Sequence, residues 1–288
     1  MSRVSSKLGY FARSLQKRAG GHQSRCPGCG SSEGSVIDRK AGVTELVECS
    51  HCSLLYRTPT DARQESHDFY QTDYAEGFTT ELPADEELRR LKETDFRDAA
   101  ASYSVYLDVL QALRVGEGSR IFDYGCSWGY GSYQLMRAGY DVEAFEISRP
   151  RCAYAAEKLG VKTVSDFREL GGDFDVFFSA HVLEHLPDLR EAIRLAQSMV
   201  RPGGLFIAFT PNGSLAYRSS NWQAFHKSWG MVHPNVLQEK YYRHVFRERP
   251  LLLASSPYST AQLSAWNFRE SLSCDLSGAE LLAAAVMS

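Results

Sequence analysis

The chain has 288 residues, 43% of them hydrophobic, and a formal net charge of −3. This composition predicts a globular protein with one large domain and a smaller module. It excludes a transmembrane protein, because no stretch approaches the roughly 18 apolar residues of a membrane-spanning helix. The small net charge disfavours nucleic acid as a partner. The N-terminus lacks an apolar signal-peptide core, so we expect a cytoplasmic protein.

Residues 1–24 are predicted to be a basic tail, since residues 1–32 carry six Lys and Arg and no acid. Apolar side chains recur in this tail at helical spacing, at Val4, Leu8, Phe11 and Leu15. Three interpretations stay open: a mobile tail, a transit peptide, and an amphipathic helix that contacts an anionic membrane surface. The last of these predicts a protein that is peripheral to a membrane.

Residues 25–58 are predicted to be a zinc ribbon. Two C-x2-C pairs, Cys26 with Cys29 and Cys49 with Cys52, are separated by nineteen residues with a strand–turn–strand pattern. Four thiolates on two such knuckles can surround one tetrahedral Zn2+, and a closed set of four protein ligands predicts a structural role for the metal. Two disulfides are the alternative. The missing signal peptide and three further cysteines favour a reducing compartment instead.

Residues 59–115 are predicted to be a helical linker. The apolar spacing between Glu86 and Leu113 indicates one helix.

A short apolar strand at 121–124 is followed by a turn with three glycines and then by a helical segment. Glycine is needed where the chain turns sharply or where a side chain would collide with a ligand. From Asp123 to Gly131, this stretch resembles the first motif of class I S-adenosylmethionine (SAM) methyltransferases, D/E-x-G-x-G-x-G. Ser127 lies where that family usually has glycine.

The resemblance covers residues 95–288. It implies an α/β fold, with a Rossmann-like, seven-stranded methyltransferase domain at 116–288 beside the small ribbon. Further strands are expected at 140–146, 161–166 and 174–180, then at 205–209 after the breaker Arg201-Pro-Gly-Gly204. The last two strands are expected at 251–254 and 280–286 as an antiparallel pair, although the alanines of the final segment also suit a helix.

The resemblance also implies a SAM site. Glu146 would accept hydrogen bonds from both ribose hydroxyls, and Asp166 would hold the adenine amino group. The linker would cap the cofactor, with Tyr70 and Tyr74 either contacting SAM or substrate or packing between ribbon and domain. The expected cofactor-binding residues are Asp123, Gly125, Cys126, Ser127, Gly129, Glu146, Asp166 and Ser179.

The motif His181-x-x-Glu184-His185 follows the fourth strand, where the methyl acceptor is expected. Two mechanisms stay open. In the first, His181 or His233 is the general base for an acceptor hydroxyl. In the second, Glu184, His185, a later histidine and His181 hold a divalent metal. The second layout resembles metal-dependent RNA 2′-O-methyltransferases with an E-x-x-E-H motif, from which this chain departs at His181.

An insertion at 212–246 is rich in aromatic and hydrogen-bonding residues, which suit a ring-shaped polar acceptor. We therefore expect SAM-dependent O-methylation of a sugar, glycan or small-molecule hydroxyl. Three alternatives remain: RNA methylation with the ribbon gripping nucleic acid, sugar C-methylation, and a catalytically inactive SAM-binding module.

Overall fold

The structure is a computed structural model that describes residues 3–62, 64–65 and 81–288. The predicted contacts of Tyr70 and Tyr74 lie outside these residues. Over the described part of the chain, no helix is both long enough and apolar enough to span a bilayer.

The N-terminal segment begins with helix α1 (Arg3–Ala19), which packs on the cysteine-containing module. Tyr10 is buried, and the guanidinium of Arg57 lies over its ring at 5.1 Å from the centroid. In the last turn of the helix, Lys17 Nζ donates to Asp61 Oδ1 at 3.2 Å. Basic residues of the last turn thus pair with nearby acids, and the basic tail at 1–24 stays a prediction. Contact with a membrane stays a prediction.

The ribbon consists of three antiparallel strands: β1 (Gly34–Lys40), β2 (Thr44–Cys49) and β3 (Leu55–Thr58). The first two form the predicted hairpin. The second C-x2-C pair spans the turn from β2 to β3, and the first pair precedes β1. The hairpin thereby brings the two knuckles to the same end of the sheet.

The predicted single helix from Glu86 to Leu113 is wrong. The structure has two helices, α2 (Asp85–Glu93) and α3 (Ser104–Ala112), joined by turns. Asp95, Phe96 and Asp98 have positive φ angles of 51°, 56° and 58°, which a continuous helix does not allow. The break places the Phe96 ring in a buried cluster with Trp128 and Leu88. Burial of a large aromatic side chain thus outweighs the local helical preference.

The large domain is built on a sheet of eight strands. The parallel part comprises β4 (Arg120–Tyr124), β5 (Asp141–Phe145), β6 (Lys162–Val164), β7 (Phe174–Ala180) and β8 (Val200–Pro211). Helices α4 (Tyr130–Arg137), α5 (Arg149–Leu159) and α6 (Leu189–Met199) connect these strands.

Between β8 and the remaining strands lie α7 (Leu215–Ser220), α8 (Trp222–Ser228), the short strand β9 (Asn235–Val236) and α9 (Glu239–Val245). The sheet is completed by β10 (Leu251–Ser255), β11 (Leu272–Ser273) and β12 (Glu280–Val286), with helix α10 (Thr260–Ser264) after β10.

The strand order is β11-β10-β12-β8-β7-β4-β5-β6. The chain builds β4, β5 and β6 outward in one direction and then crosses to place β7 on the other side of β4. This reversal opens a crevice at the carboxyl ends of the strands, where open α/β sheets bind their ligands. The seven predicted strands are all present, and β12 is antiparallel to both of its neighbours.

Two details differ from the sequence-based expectation. The two-residue strand β11 pairs with β10 and makes the sheet eight-stranded, so the expected count of seven is wrong by this edge strand. The predicted breaker Arg201-Pro-Gly-Gly204 lies within β8, where the register with β7 is irregular. Gly203 has a φ of +82° and its amide donates to the carbonyl of Met287, so the strand bends here without ending.

The insertion packs against the ribbon through β9. Leu55 pairs with Val236 and Tyr56 with Asn235, so β9 becomes the fourth strand of the ribbon sheet. Trp229 and Phe225 of the insertion are buried in one cluster with residues of β2 and β3. The insertion predicted to lie on the substrate side therefore also joins the two modules.

The break between α2 and α3 gives a prediction about stability. Phe96→Ala should lower the free energy of unfolding by about 3–5 kcal/mol, because it leaves a cavity under Trp128. Val105→Ala, at a half-exposed position of α3, should change it by about 0.5 kcal/mol or less. Urea denaturation of both variants measures the two values. Equal effects would mean that Phe96 does not anchor this turn.

Candidate functional site

The glycine turn after β4 is fixed by close contacts on two sides. Gly125 has a φ of +91°, and a Cβ there would lie 2.4 Å from a methyl carbon of Val182. Gly129 has a φ of +86° and precedes α4, and its Cβ would lie 2.7 Å from that of Ala155 in α5. Ser127, where the SAM methyltransferases usually have glycine, also takes a left-handed φ of 54°. This conformation costs an L-residue roughly 1–2 kcal/mol.

Glu146 compensates that cost by binding the turn. It lies buried just after β5, and its Oε2 accepts the amide of Ser127 at 2.9 Å. Its Oε1 accepts the amide of Ser148 at 2.8 Å, next to the start of α5. Burial raises the pKa of Glu146, while these amides and Arg151 lower it. Each carboxylate oxygen has a second acceptor site, so the predicted role toward ribose hydroxyls is compatible with these bonds.

Asp123 lies at the end of β4 and is fully buried. Ser132 Oγ, in α4, donates to its Oδ2 at 2.5 Å, so the side chain ties the strand to the helix across the turn. Burial raises the pKa of Asp123 to about 7, against the opposing effect of the Ser132 hydrogen bond. The predicted contact with the cofactor stays a prediction.

The other predicted cofactor residues are placed differently. Asp166 caps a short 3-10 helix by accepting the amide of Arg168 at 3.0 Å, and it also pairs with the guanidinium of that residue. Hydrogen bonds from Arg168 lower the pKa of Asp166 to about 2. The Cys126 sulfur is buried 3.8 Å from Thr163 Oγ1, and Ser179 is buried in β7. Because Arg168 engages Asp166, an adenine amino group would have to share its carboxylate.

His181 follows β7 in a left-handed conformation, with a φ of 56°. Its Nε2 lies 2.5 Å from Glu280 Oε2, and its Nδ1 lies 3.4 Å from Glu184 Oε1. Burial lowers the pKa of His181, but hydrogen bonding to Glu184 and Glu280 outweighs it and raises the pKa to about 10. In this arrangement Glu184 and Glu280 favour the protonated imidazole, and the general-base role of His181 stays a prediction.

Sequence reasoning missed Glu280 as a site residue. It is the first residue of β12, which brings it to the carboxyl edge of the sheet from 99 positions beyond His181. It also accepts the hydroxyls of Tyr106 at 2.9 Å and Tyr258 at 2.7 Å. The sequence signal for Glu280 is that an acidic residue begins an otherwise apolar strand. The ion pair and the two hydroxyls together make a polar wall beside the glycine turn.

Glu184, His185 and His233 form a second cluster, whose ligand atoms lie within 4.8 Å of one another. Nδ1 of His185 donates to the carbonyl of Val232 at 2.7 Å, and Nδ1 of His233 donates to that of Ser228 at 2.8 Å. A carbonyl can only accept, so in the neutral form of each ring Nε2 carries the lone pair. This is the arrangement by which metal-binding histidines are oriented in proteins.

Glu184 is the most deeply buried member of this cluster. The side chain is inaccessible to solvent, and its Oε1 lies 3.4 Å from His181 Nδ1 and 3.9 Å from His185 Nε2. Burial raises the pKa of Glu184, but the nearby His181 and His185 outweigh burial and lower the pKa below its usual value, which favours the ionised carboxylate. A buried carboxylate between two imidazoles can hold a divalent cation. The structure thus brings together the residues predicted for the metal-dependent mechanism, except that His181 is held by Glu280.

The four ribbon cysteines lie close together at the end of the ribbon sheet. Cys26 and Cys52 have sulfurs 3.5 Å apart, as do Cys29 and Cys49, and all four sulfurs lie within 4.8 Å of one another. Tetrahedral sulfur ligands at 2.3 Å from zinc are about 3.8 Å apart, so the donor set fits Zn2+. All seven cysteines are unpaired, so the two-disulfide alternative is wrong.

The family comparison matches residues 89–252 to the family described as Methyltransferase domain. The matched range begins in α2 and ends in β10. It therefore contains the glycine turn, His181, the cluster of Glu184, His185 and His233, and the insertion, whereas Glu280 and the ribbon lie outside it.

Related proteins include several named ubiquinone biosynthesis O-methyltransferase. The one from Ralstonia nicotianae is 30% identical over 122 residues, which are 38% of this chain and 51% of that protein. The one from Agrobacterium fabrum is 33% identical over 118 residues, which are 38% of this chain and 47% of that protein. The chain spans about half the length of these relatives.

Two solved structures are similar to this chain at low sequence identity. Magnesium protoporphyrin IX methyltransferase (ChlM) from Synechocystis PCC 6803 with bound SAH is 16% identical, with a TM-score of 0.47 over 79% of this chain and 100% of that one. The N-methyltransferase NodS from Bradyrhizobium japonicum WM9 with SAH is 16% identical, with a TM-score of 0.46 over 78% of this chain and 98% of that one.

The thiolate cluster predicts that the purified protein contains one zinc per chain. Cys52→Ser should lose the metal and unfold at lower temperature, because zinc supplies folding energy to so small a module. Cys274→Ser, which lies outside the cluster, should keep both the metal and the unfolding temperature of the wild type. Inductively coupled plasma mass spectrometry measures the zinc content, and thermal unfolding measures the unfolding temperature. Wild-type protein without zinc would contradict the prediction.

The buried Asp123 predicts a pH dependence of stability in the absence of cofactor. Its pKa is about 7 when folded and about 3.9 in an unfolded chain, so the folded state binds more protons between these values. Stability should therefore fall as pH rises from about 4 to 7. Asp123→Asn removes the charge and keeps an acceptor for Ser132, so its unfolding temperature should fall less over this range. Parallel pH curves for the two proteins would refute the raised pKa.

Proposed function

Because this chain belongs to the methyltransferase-domain family, we propose that it transfers the methyl group of SAM to an oxygen atom of an acceptor. The observation that carries the proposal is the buried Glu146, which binds the glycine turn through Ser127. The turn and this carboxylate lie at the carboxyl edge of the sheet, beside the crevice where such folds bind nucleotides. The family match covers the same residues.

The residues at this edge suit SAM. The glycine turn lets a ligand approach the backbone, and Glu146 has acceptor sites left for a pair of hydroxyls. Bound SAM would supply a methyl group on a positively charged sulfur. The protein would contribute orientation, which accounts for much of the rate in a displacement of this kind.

We propose a hydroxyl of a sugar, glycan or ring-shaped small molecule as the acceptor. The relatives named as O-methyltransferases support oxygen as the methylated atom. The carboxyl edge also carries aromatic side chains, since Tyr106 packs against the buried Phe209 with centroids 4.4 Å apart and donates to Glu280. Aromatic faces with a few hydrogen-bonding groups are typical of sites for such acceptors.

RNA as the acceptor finds little support in the ribbon. Arg57 is buried beside Asp61, Lys40 lies over the ring of Trp229, and Arg39 pairs with Glu45. Nucleic-acid binding depends on cations that are available to phosphates. We therefore favour a smaller acceptor.

Transfer to oxygen requires that the acceptor hydroxyl lose its proton. Both ring nitrogens of His181 face carboxylates, those of Glu280 and Glu184, so we assign this task to the cluster of Glu184, His185 and His233. A divalent cation bound there would lower the pKa of the hydroxyl. A cation there would add to the imidazoles of His181 and His185, at 3.4 and 3.9 Å, in offsetting the cost of burying the Glu184 charge. Otherwise Nε2 of His233 is the candidate base.

The test is transfer of radiolabelled methyl from SAM into fractionated small-molecule, nucleotide-sugar, glycan and RNA pools. Label in the first three fractions supports the proposal. Label that ribonuclease removes would overturn it in favour of RNA. With an acceptor in hand, Glu184→Gln and His233→Gln should each lower kcat by at least about 100-fold, whereas His22→Gln, at an exposed site, should not.

The cation is tested separately from the base. Mild chelation should abolish activity, and Mg2+, Mn2+ or Zn2+ should restore it, while mass spectrometry confirms that the ribbon keeps its zinc. Activity that survives chelation would exclude the cation and leave His233 as the base. An unchanged kcat in His233→Gln would exclude both roles of this residue.

A further inference from the structure

We propose that the ribbon positions His233 of the candidate site and that Asp38 in β1 is the positioning residue. The loop 229–234, which we call the His233 loop, is anchored to the ribbon at both ends. The expected fall in kcat rests on the proposed function, whereas the positioning of His233 is inferred from contacts alone. It gives the ribbon a role in arranging the acceptor side of the site.

The first anchor is Trp229, at the start of the His233 loop. Its ring is buried, and its Nε1 donates to Asp38 Oδ2 at 2.8 Å. The same oxygen accepts Nδ1 of His226 at 2.7 Å. Lys40, two residues along β1, donates to the Trp229 carbonyl and lies 4.3 Å from its ring centroid. Two side chains of β1 therefore fix both the backbone and the ring of Trp229.

The second anchor lies at the end of the loop and in the residue after it. The carbonyl of Pro234 accepts the amide of Arg57 at 2.7 Å, and Asn235 pairs with Tyr56 in β3. Asn235 Nδ2 also donates to the carbonyl of Leu186, next to His185, at 2.7 Å. The end of the loop is thus bound to the ribbon on one side and to the Glu184–His185 turn on the other.

Between the anchors, short-range bonds leave His233 little freedom. The amide of Gly230 donates to the His233 carbonyl at 2.9 Å, and His233 Nδ1 donates to Ser228. Val232 accepts Nδ1 of His185, so the loop also orients the second imidazole. The ring centroids of His185 and His233 lie 4.8 Å apart. A shift of Trp229 would therefore move both rings relative to Glu184.

Asp38 is the residue on which the first anchor depends. One of its oxygens accepts two N–H groups, from Trp229 and His226, and the side chain is largely buried. The other oxygen accepts the amide of Arg39 at 2.8 Å, so the carboxylate accepts N–H groups on both oxygens, whereas an amide has one oxygen and must turn its NH2 toward one of these two sides. Asp38→Asn should therefore loosen the start of the loop without removing any ligand of the ribbon or any residue of the site.

The experiment compares Asp38→Asn with Glu33→Gln, which removes the same charge at an exposed position just before β1. Imidazole nitrogen NMR, assigned with histidine variants, should show shifted or broadened signals for His233 and His185 in Asp38→Asn only. Affinity for SAH, measured by calorimetry, should stay within twofold, and zinc content should stay unchanged. On the acceptor, kcat should fall by about 10- to 100-fold, the scale expected from a misplaced group.

Trp229→Phe provides a second variant, because it removes the N–H donor and keeps an aromatic ring. It should perturb the same imidazole signals, and it carries the test if Asp38→Asn does not fold. Wild-type signals for His233 in a folded variant would overturn the positioning role, whatever the protein methylates. Perturbed signals in a protein that transfers no methyl group would keep the positioning role and reject the proposed function.

Discussion

The ribbon and the large domain share one apolar core, and the site depends on that union. Cys26, Cys49 and Cys52 are buried in the same cluster as Phe206 of β8 and Tyr242 of α9. The contact is tight, because a Cβ on Gly28 of the first knuckle would lie 2.7 Å from the ring of Tyr241. A module of this size cannot bury enough surface alone. Packing on the sheet and binding a metal together account for its stability.

Buried carboxylates concentrate at the carboxyl edge of the sheet, and each is stabilised differently. Glu146 is stabilised by backbone amides, and Glu280 by an imidazolium and two tyrosine hydroxyls. Asp123 has a single hydroxyl donor, and Glu184 has only nearby imidazoles. The carboxylates with the fewest donors are those with most to gain from a bound cation, since an unpaired buried charge is unfavourable. A cation bound at this edge would therefore stabilise these carboxylates.

Local patterns were enough to predict the strands, the glycine turn and the cysteine knuckles, because their signals are confined to a few neighbouring residues. The seven expected strands are present, including the Ala-rich β12, whose burial between two strands overrides the helical preference of alanine. Features set by distant contacts could not be predicted. The turn at Phe96 depends on Trp128, the strand β9 exists only beside β3, and Glu280 reaches His181 through the sheet. The pairing of His181 with two carboxylates could not be predicted for the same reason.

The position of β12 has a consequence for how the protein folds. This strand comes after β10 in the chain but lies between β10 and β8 in the sheet. The two flanking strands therefore cannot reach their final spacing until β12 inserts between them, and such non-local pairing slows folding. The strand also delivers Glu280, so the His181 ion pair closes only when the sheet is complete. A nascent chain in which the whole family-matched region has been synthesised would still lack Glu280 and its half of the polar wall.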